Sequence, residues 1–293
     1  MKSLIIGMGI GQLYKTVLEE LGHEVITVDQ DPAKGADFYD YGFAFAAHGH
    51  FDTVHVCTPN FTHVNLARHA GVHRAGIVFV EKPGLENSAL WAQLCEDFPN
   101  TRYMMVKNNQ WRDNIKALQA RAESAKAVNL NWINRDRVPN PGTWFTAKNL
   151  AFGGVSRDLM PHLLSLYIAM NPIWRTDNVN VIEADRKWQL NELTTTDYGQ
   201  VKADGVYDVD DLCRITFTDK WTLTANWRSL DQDKRNIEFV MPDDTVETFE
   251  LGLCPEYAYK EMIRDAVANL NNNVFWKKQY EQDMWIHQII ENV

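Results

Sequence analysis

Asp158 and His162 are the residues whose types and spacing most plainly suggest acid–base chemistry. Four positions apart, they share one face of a helix. Pro161 has no backbone N–H and is tolerated only in a first helical turn, so the helix is predicted to begin near Arg157 or Asp158. An imidazole beside a carboxylate can act as a general base. The alternative is a structural pair at a helix start.

Lys82 is the second candidate, in the sequence Glu81-Lys82-Pro83 directly after the apolar run Ile77 to Val80. A lysine ammonium can stabilise an oxygen that becomes negative as its proton leaves. The alternative is a surface lysine at the end of a strand.

Three glycines form the third candidate, in Gly7-Met8-Gly9-Ile10-Gly11 between the apolar run Leu4 to Ile6 and a helical pattern. Glycines at such a turn let the backbone approach a pyrophosphate, and the helix amino terminus offers N–H groups and a positive dipole end. The pattern is one residue shorter than G-x-G-x-x-G, whose third glycine would stand at Gln12. A tight turn without a ligand remains the alternative.

Asp29 stands 22 residues after Gly7, at the end of a second apolar run. A carboxylate at this distance can accept a hydrogen bond from a ribose hydroxyl and would repel a 2′-phosphate. Gln30 adds no positive charge, so the pattern favours NAD over NADP. Alternatively, Asp29 caps the turn at Asp31-Pro32.

Alternating strand and helix patterns must position these residues. Such alternation predicts a mostly parallel, doubly wound sheet of the Rossmann type, with ligands at the carboxyl ends of its strands. Gly7, Asp29, Pro59 and Lys82 all follow strands and are expected to converge there. Residues 31–52 are too few for a full strand–helix unit, so this part of the sheet is predicted to be abbreviated. The predicted strands are 4–6, 25–28, 53–57, 77–80 and 102–106.

The second half of the chain has a different residue pattern, and nine of the ten tryptophans follow residue 110. Alternating segments predict an α+β domain with an open, mostly antiparallel sheet, crossed by a helix at about 159–169. The strands predicted in this half are 128–133, 212–217, 221–227, 237–240 and 246–251. The predicted domains are 1–115 and 116–293, and the last helices, 257–270 and 280–290, pack on either one. Four tryptophans could cover a subunit interface or form an ordinary core: Trp132, Trp188, Trp221 and Trp227.

Three segments together resemble the Gfo/Idh/MocA family of nicotinamide-dependent oxidoreductases. They are similar to the family's T-P-N-x-x-H, E-K-P and G-G-x-x-x-D-x-x-x-H motifs, in the same order. Two departures stand out, because Met160 replaces a frequent glycine and the arginine of an N-x-R-F stretch is absent after Asn108. The segments are Cys57 to His63, Glu81 to Pro83 and Gly153 to His162.

The resemblance implies hydride transfer between NAD and a secondary alcohol or ketone of a sugar, polyol or sugar derivative. Its implied catalytic residues are Lys82, Asp158 and His162, and Asn108 and Trp144 join them as expected substrate contacts. A catalytically silent NAD-binding regulator and a redox-assisted glycosidase remain alternatives. The expected cofactor-binding residues are Gly7, Gly9, Ile10, Gly11, Asp29, Thr58, Pro59, Asn60, His63, Glu81 and Lys82.

Substrate specificity is expected in the loops 134–150 and 186–208, and the free sheet face is expected to form a homodimer or homotetramer. The net charge of −10, from 29 basic and 39 acidic side chains, argues against nucleic acid as a partner. No apolar stretch approaches the roughly 18 residues of a membrane helix. The first apolar run is too short for a signal peptide.

Cysteine and histidine spacing indicates neither a metal site nor a disulfide framework. The four cysteines form no C-x-x-C pair. His69 and His73 are four apart, but Gly71 interrupts their helix and no third ligand is evident. A few scattered thiols fit a reducing cytoplasm.

Overall fold

A computed structural model describes residues 1–135, 137–193, 199–229 and 233–293. These residues form two compact units, the first comprising Met1–Trp111 with Pro255–Glu291, and the second Arg112–Cys254 with Asn292–Val293. The predicted division at residue 115 assigned the two C-terminal helices to the second domain, whereas in the structure they belong to the first unit. Within that unit they contact the first and fourth helices and the fifth strand.

The first unit is built on a five-stranded parallel sheet. Its strands are β1 Lys2–Ile6, β2 Glu24–Val28, β3 Thr53–Val56, β4 Ile77–Val80 and β5 Arg102–Met105. Its helices are α1 Gly11–Glu20, α2 Tyr41–His48, α3 His63–Val72 and α4 Ser88–Asp97, and two helices near the chain's end, α9 Glu256–Ala268 and α10 Asn273–Ile290, complete the unit.

The strand order is β2-β1-β3-β4-β5, so the order reverses between β1 and β3, where ligands bind in open α/β sheets. The last residues of all five strands lie in one register row, because Ile6 pairs with both Val28 and Val56, and the row continues across β4 to β5. The predicted convergence of strand ends is therefore met within this sheet.

The stretch from Asp31 to Asp52 is abbreviated, as predicted. A parallel strand beside β2 is reduced to a single bridge between Val28 and Phe38. A short 3₁₀ turn, Pro32–Lys34, precedes it and the eight-residue α2 follows. Asp37 replaces part of the missing ladder, since its carboxylate accepts from the backbone N–H and the hydroxyl of Thr27.

The second unit holds a six-stranded mixed sheet in the order β11-β10-β6-β9-β8-β7. All neighbouring pairs are antiparallel except β6 with β9, which confirms a mostly antiparallel sheet. Strand β7 was not predicted, because most of its side chains are exposed and lack an alternating pattern. The strands are β6 Ala127–Arg135, β7 Val179–Asp185, β8 Leu212–Phe217, β9 Trp221–Ser229, β10 Lys234–Val240 and β11 Val246–Glu250.

The remaining helices are α5 Ile115–Ser124, α6 Lys148–Ala151, α7 Val155–Asp158 and α8 Met160–Met170. Helix α10 begins earlier than predicted, because the side chain of Asn272 caps it by accepting from Val274 and Phe275. No helix in the described ranges is both long and apolar enough to cross a membrane.

Three of the four tryptophans considered for a subunit interface are core residues of the second unit. Trp132, Trp221 and Trp227 are 6%, 4% and 0% exposed. Trp188 is half-buried and carries the guanidinium of Arg228 4.1 Å from its ring centroid. The intradomain core is thus the correct interpretation for the first three.

Candidate functional site

The turn after β1 requires glycine at its first position. Gly7 has a φ of +96°, and a Cβ there would lie 2.5 Å from the carbonyl oxygen of Cys57. Its backbone N–H donates to Val28 at 2.8 Å, which joins the turn to the end of β2. Only a residue without a side chain allows this close approach.

The other two glycines of the turn have different surroundings. No atom lies within 4 Å of the position that a Cβ would take at Gly9, whereas at Gly11 a Cβ would lie 2.8 Å from a methyl group of Ile5. Gly9 therefore leaves open space for a ligand, and Gly11 lets α1 pack closely on β1. The loop is one residue short, and the surroundings of its three glycines are compatible with the roles that glycines have in nucleotide-binding turns.

Helix α1 begins at this turn with an open amino terminus. Its N-cap residue, Ile10, offers no side-chain hydrogen bond and is 43% exposed. Among the described residues no side chain caps this helix end and its first turn holds no acidic residue, so the positive end of the helix dipole is compatible with an anion site.

Asp29 braces the glycine turn and also caps the next one. Its Oδ2 accepts from the backbone N–H of Met8 at 2.6 Å, and its Oδ1 accepts from that of Asp31 at 2.9 Å. Each carboxylate oxygen has a second lone pair, so these bonds leave acceptor capacity for a hydroxyl. The capping interpretation is thus correct, and the ribose-binding one remains a prediction compatible with it.

His63 joins the T-P-N turn after β3 to the E-K-P turn after β4. The imidazole is fully buried, with Nδ1 2.7 Å from the carbonyl oxygen of Gly84 and Nε2 2.8 Å from that of Thr58. Burial lowers its pKa. These two contacts of His63 hold two backbone turns in place, and its predicted contact with a cofactor remains a prediction. Pro59 and Asn60 begin the 3₁₀ turn in the same loop.

Glu81 anchors the E-K-P turn inside the first unit. Its Oε1 accepts from the hydroxyl of Tyr14 at 2.6 Å, and its Oε2 accepts from the backbone N–H of Lys82 at 3.2 Å. Burial raises the pKa values of both Glu81 and Tyr14. Lys82 itself is half-buried at the carboxyl end of β4.

Helix α10 supports the same turn from a segment more than 200 residues away. The backbone N–H of Leu85 donates to His287 Nε2 at 3.0 Å, and His287 Nδ1 lies 2.7 Å from the carbonyl oxygen of Asp283. Asp283 also forms a fully buried ion pair with Lys107. Burial raises the pKa of Asp283 to about 6. No sequence motif marks these residues, which the sequence analysis did not identify.

The G-G motif of the second unit is built against Asp210. A Cβ at Gly154 would lie 1.8 Å from the carbonyl oxygen of Asp210. The Asp210 carboxylate accepts from the backbone N–H groups of Gly154 and Ser156, both at 2.8 Å. Asp210 therefore caps α7 from a distant segment, and the sequence analysis did not identify it.

The predicted single helix is divided in two. Asp158 ends α7, Leu159 lies between the helices, and His162 is in the first turn of α8. Pro161 cannot donate a hydrogen bond to the preceding turn, so the backbone ladder is interrupted there. The expected start near residue 157 was too late by two residues for α7, while Pro161 does lie in the first turn of α8 as predicted.

Two tryptophans of the sheet contact the predicted catalytic pair. The indole N–H of Trp227 donates to Asp158 Oδ2 at 2.8 Å. The imidazole of His162 stacks on Trp132, with ring centroids 5.1 Å apart and planes at 20°. The sequence analysis had considered both tryptophans only for their apolar area.

The two predicted substrate contacts lie in different units. Asn108, in the first, is fully buried, and its Nδ2 has no hydrogen-bond partner among the described residues. Trp144, in the second, is half-buried and lies 4.1 Å from Phe145 between ring centroids. The predicted specificity loops include residues 136 and 194–198, which lie outside the described residues.

The predicted site residues are therefore divided between the units. The first holds the glycine turn, Asp29, the T-P-N and E-K-P segments with Lys82, and Asn108; the second holds Trp144, Asp158 and His162. Within the described ranges, no group of three or more His, Cys, Asp or Glu side chains is arranged to hold a metal ion.

No protein-family model matches the sequence. A protein of Amycolatopsis mediterranei (strain S699) with the provisional name UDP-kanosamine synthase oxidoreductase subunit is 29% identical over 202 residues. The match covers 63% of this chain and 56% of the relative, so the chain spans little more than half the length of the curated relative that it matches.

Solved structures share the whole two-unit fold. GenD2 from gentamicin A biosynthesis, in complex with NAD, has a TM-score of 0.74 at 17% identity and covers 99% of this chain and 92% of its own. Levoglucosan dehydrogenase, with NADH and levoglucosan, gives 0.69 at 14%, covering 100% and 97%. The myo-inositol 2-dehydrogenase of Lactobacillus plantarum gives 0.71 at 12%, covering 99% and 95%.

Proposed function

We propose that this chain is an NAD-dependent oxidoreductase of the Gfo/Idh/MocA type. It transfers hydride between nicotinamide and a secondary alcohol or ketone of a sugar, polyol or sugar derivative. The observation that carries the proposal is the placement of the three motifs, at the ends of β3 and β4 and at α7–α8, in a fold shared with levoglucosan dehydrogenase and myo-inositol 2-dehydrogenase.

The residues of the first unit fit a dinucleotide. The open space at Gly9 and the uncapped start of α1 suit a pyrophosphate, and Asp29 keeps acceptor capacity for a ribose hydroxyl. A 2′-phosphate would meet that carboxylate, so NAD is favoured over NADP. When bound, the nicotinamide supplies the hydride acceptor. The proposed binding residues are Gly7, Gly9, Ile10, Gly11, Asp29, Thr58, Pro59, Asn60, His63, Glu81 and Lys82.

The catalytic roles follow from the side chains at the ends of these elements. His162 accepts the hydroxyl proton of the substrate, and Asp158 orients the imidazole. The Lys82 ammonium positions the substrate oxygen and offsets its developing negative charge. Asn108 and Trp144 are the proposed additional substrate contacts.

The test is hydride transfer measured by NADH absorbance, with levoglucosan, myo-inositol and UDP-glucose as probes. We expect Lys82→Ala, Asp158→Ala and His162→Ala each to lower kcat about 10²- to 10⁴-fold. NAD affinity should stay within a few fold for the two variants of the second unit. Near-wild-type turnover of all three variants, with intact NAD binding, would overturn the catalytic assignment.

The same assay separates the two alternatives. Tight NAD binding without turnover of any probe favours a silent regulator. Release of an aglycone from a glycoside, with only catalytic NAD and no net NADH, indicates a redox-assisted glycosidase. Net NADH formation matched by a ketone product supports the dehydrogenase.

We also propose, from the same resemblance, a cytoplasmic homodimer or homotetramer assembled through the C-terminal sheet. Because Trp132 and Trp227 are buried inside the unit, the contact would use the opposite face of the sheet. Register places one polar row across all six strands there, and light scattering of a Thr224→Arg variant tests it. The row is Glu250, Asn236, Asn131, Thr224, Arg214 and Glu183.

A further inference from the structure

Trp132 and Trp227 project from one face of the second unit's sheet. Strands β6 and β9 are neighbours, and Trp132 is paired with Ala225. Side chains alternate along a strand, so Trp227, two residues after Ala225, points to the same side as Trp132. Helix α8 contacts both strands and α7 contacts β9. The two indoles therefore lie under the segment that carries the proposed catalytic pair.

Trp227 holds the carboxylate of Asp158 rigidly. The indole is fully buried and its ring nitrogen donates to Oδ2 at 2.8 Å. Its backbone N–H is also fixed, by donation to the carbonyl oxygen of Asp211 at 3.0 Å. An indole N–H can only donate, and a hydrogen bond to an ionised carboxylate is among the stronger ones in proteins. The bond thus fixes Asp158 Oδ2, rather than Oδ1, as the carboxylate oxygen that is bound by the sheet.

Trp132 restrains the imidazole of His162 by its ring face. The two ring planes are within 20° of each other, and the indole is only 6% exposed. The guanidinium of Arg235 lies 5.0 Å from the Trp132 ring centroid, so the indole is itself held in a cation–π contact. A stack of this kind limits rotation of the imidazole about its side-chain bonds.

We propose that Trp227 and Trp132 are positioning residues for the reaction, each acting on one member of the Asp158–His162 pair. The inference rests on the proposed function. Trp227 fixes the carboxylate from one strand, and Trp132 fixes the imidazole from the next. Proton transfer depends on sub-ångström placement of its groups, so freeing either side chain slows turnover without altering the nucleotide half.

The first experiment compares Trp227→Phe with Trp221→Phe. Trp221 lies on the same strand, is 4% exposed and meets Tyr167 edge-on at 5.1 Å, so it is a matched buried control that does not serve Asp158. With the three sugar probes, we expect W227F to lower kcat about 10- to 100-fold. The KM of W227F for NAD should stay within twofold of wild type. The kcat of W221F should stay within threefold of wild type. Equal losses in both variants would overturn the proposal for Trp227.

A double-mutant cycle separates positioning from general structural support. If Trp227 acts through Asp158, W227F adds less than about twofold to the loss already caused by Asp158→Ala. If Trp227 has only a structural role, the kcat loss of the double variant should equal the product of the losses of W227F and Asp158→Ala. If D158A itself turns over like wild type, the proposed catalytic site fails instead, so the two failures are distinguishable.

Trp132 is tested by rescue. We expect Trp132→Leu, which removes the aromatic face, to lower kcat about tenfold, and Trp132→Phe, which keeps it, to restore most of that loss. Equal activity of the leucine and phenylalanine variants would overturn the role of the stack.

A spectroscopic experiment needs no substrate. In ¹⁵N-labelled protein, the indole N–H resonance of Trp227, assigned by its loss in W227F, should move strongly in Asp158→Asn, while that of Trp221 stays in place. No movement of the Trp227 resonance would show that the hydrogen bond is absent in solution and overturn the proposal. A wild-type chain that turns over none of the probes would overturn the proposed function.

Discussion

The candidate sites of the two units are built in different ways. In the first unit, the three glycines Gly7, Gly9 and Gly11 have distinct roles within five residues, and the turn that they form also contacts Cys57 and Asp29 further along the chain. The proposed catalytic pair of the second unit is held by distant residues, since Asp158 accepts from Trp227, 69 positions away, and Gly154, just before α7, donates to Asp210, 56 positions away. Sequence spacing by itself therefore marks the glycines of the first site, whereas only strand pairing brings together the contacts of the second.

The largest effect is expected from Gly154→Ala, which tests the long-range half. A Cβ there would lie 1.8 Å from the backbone oxygen of Asp210, so the α7 turn or the start of β8 must move. We expect a loss of about 3 kcal/mol in the free energy of unfolding, measured by urea denaturation.

The control for this variant is Gly9→Ala, whose Cβ meets no atom within 4 Å. Similar stability losses in the two variants would contradict the distinction between a packed and an open glycine.

Acid should weaken the first unit before the second, because four histidines whose pKa values are lowered chiefly by burial, His23, His55, His63 and His69, all lie in the first. Burial lowers the pKa of His55 to about 3, against an ordinary value of 6.5. As the pH falls from 6.5 towards 3, His55 therefore binds a proton in the unfolded chain but stays neutral in the folded chain. Stability that is complete above pH 6.5 is lost across this window, by up to about 1.4 kcal/mol per pH unit.

Hydrogen exchange followed by mass spectrometry, corrected for intrinsic pH dependence, locates this loss. Protection of β1 and β3 should decrease before that of β6 and β9. A His55→Phe variant keeps the ring that stacks on Phe79 and should reduce the pH slope. An unchanged slope in this variant would exclude His55 as the titrating group.

The smallest effect on stability is expected from Gly9→Ala, which sharpens the local half of the comparison. The free energy of unfolding should stay within about 0.5 kcal/mol of wild type, since the new methyl group meets no atom. NAD affinity, measured by calorimetry, should fall about tenfold because that methyl would occupy the place proposed for a phosphate. Unchanged affinity would place the dinucleotide elsewhere.

Sequence patterns predicted most of the strands, and the three motifs were recognised directly in the sequence. Residues 77–80 and 212–217 match β4 and β8 as the structure has them. Strand β7 was missed because an edge strand with exposed side chains lacks a buried face to create alternation. Helix α10 was started too late, although Asn272 is a recognisable N-cap residue.

The residues that support the candidate sites of the two units could not be predicted from the sequence. Trp227, Trp132, Asp210 and His287 belong to no motif, and nothing in their residue types indicates a supporting role. Each acquires its role from a contact with a residue far along the chain, and single-sequence spacing contains no information on such contacts.

The sequence by itself determined where strands end and which chemical groups stand there, because glycine conformations, proline positions and apolar periodicity act over a few residues. It also determined the order of the motifs. Only the tertiary structure decided that an indole N–H from β9 binds the Asp158 carboxylate and that an indole face from β6 meets His162. The physical reason is that alternation tells which face a side chain takes, whereas the neighbour of a strand is set by the packing of the whole sheet.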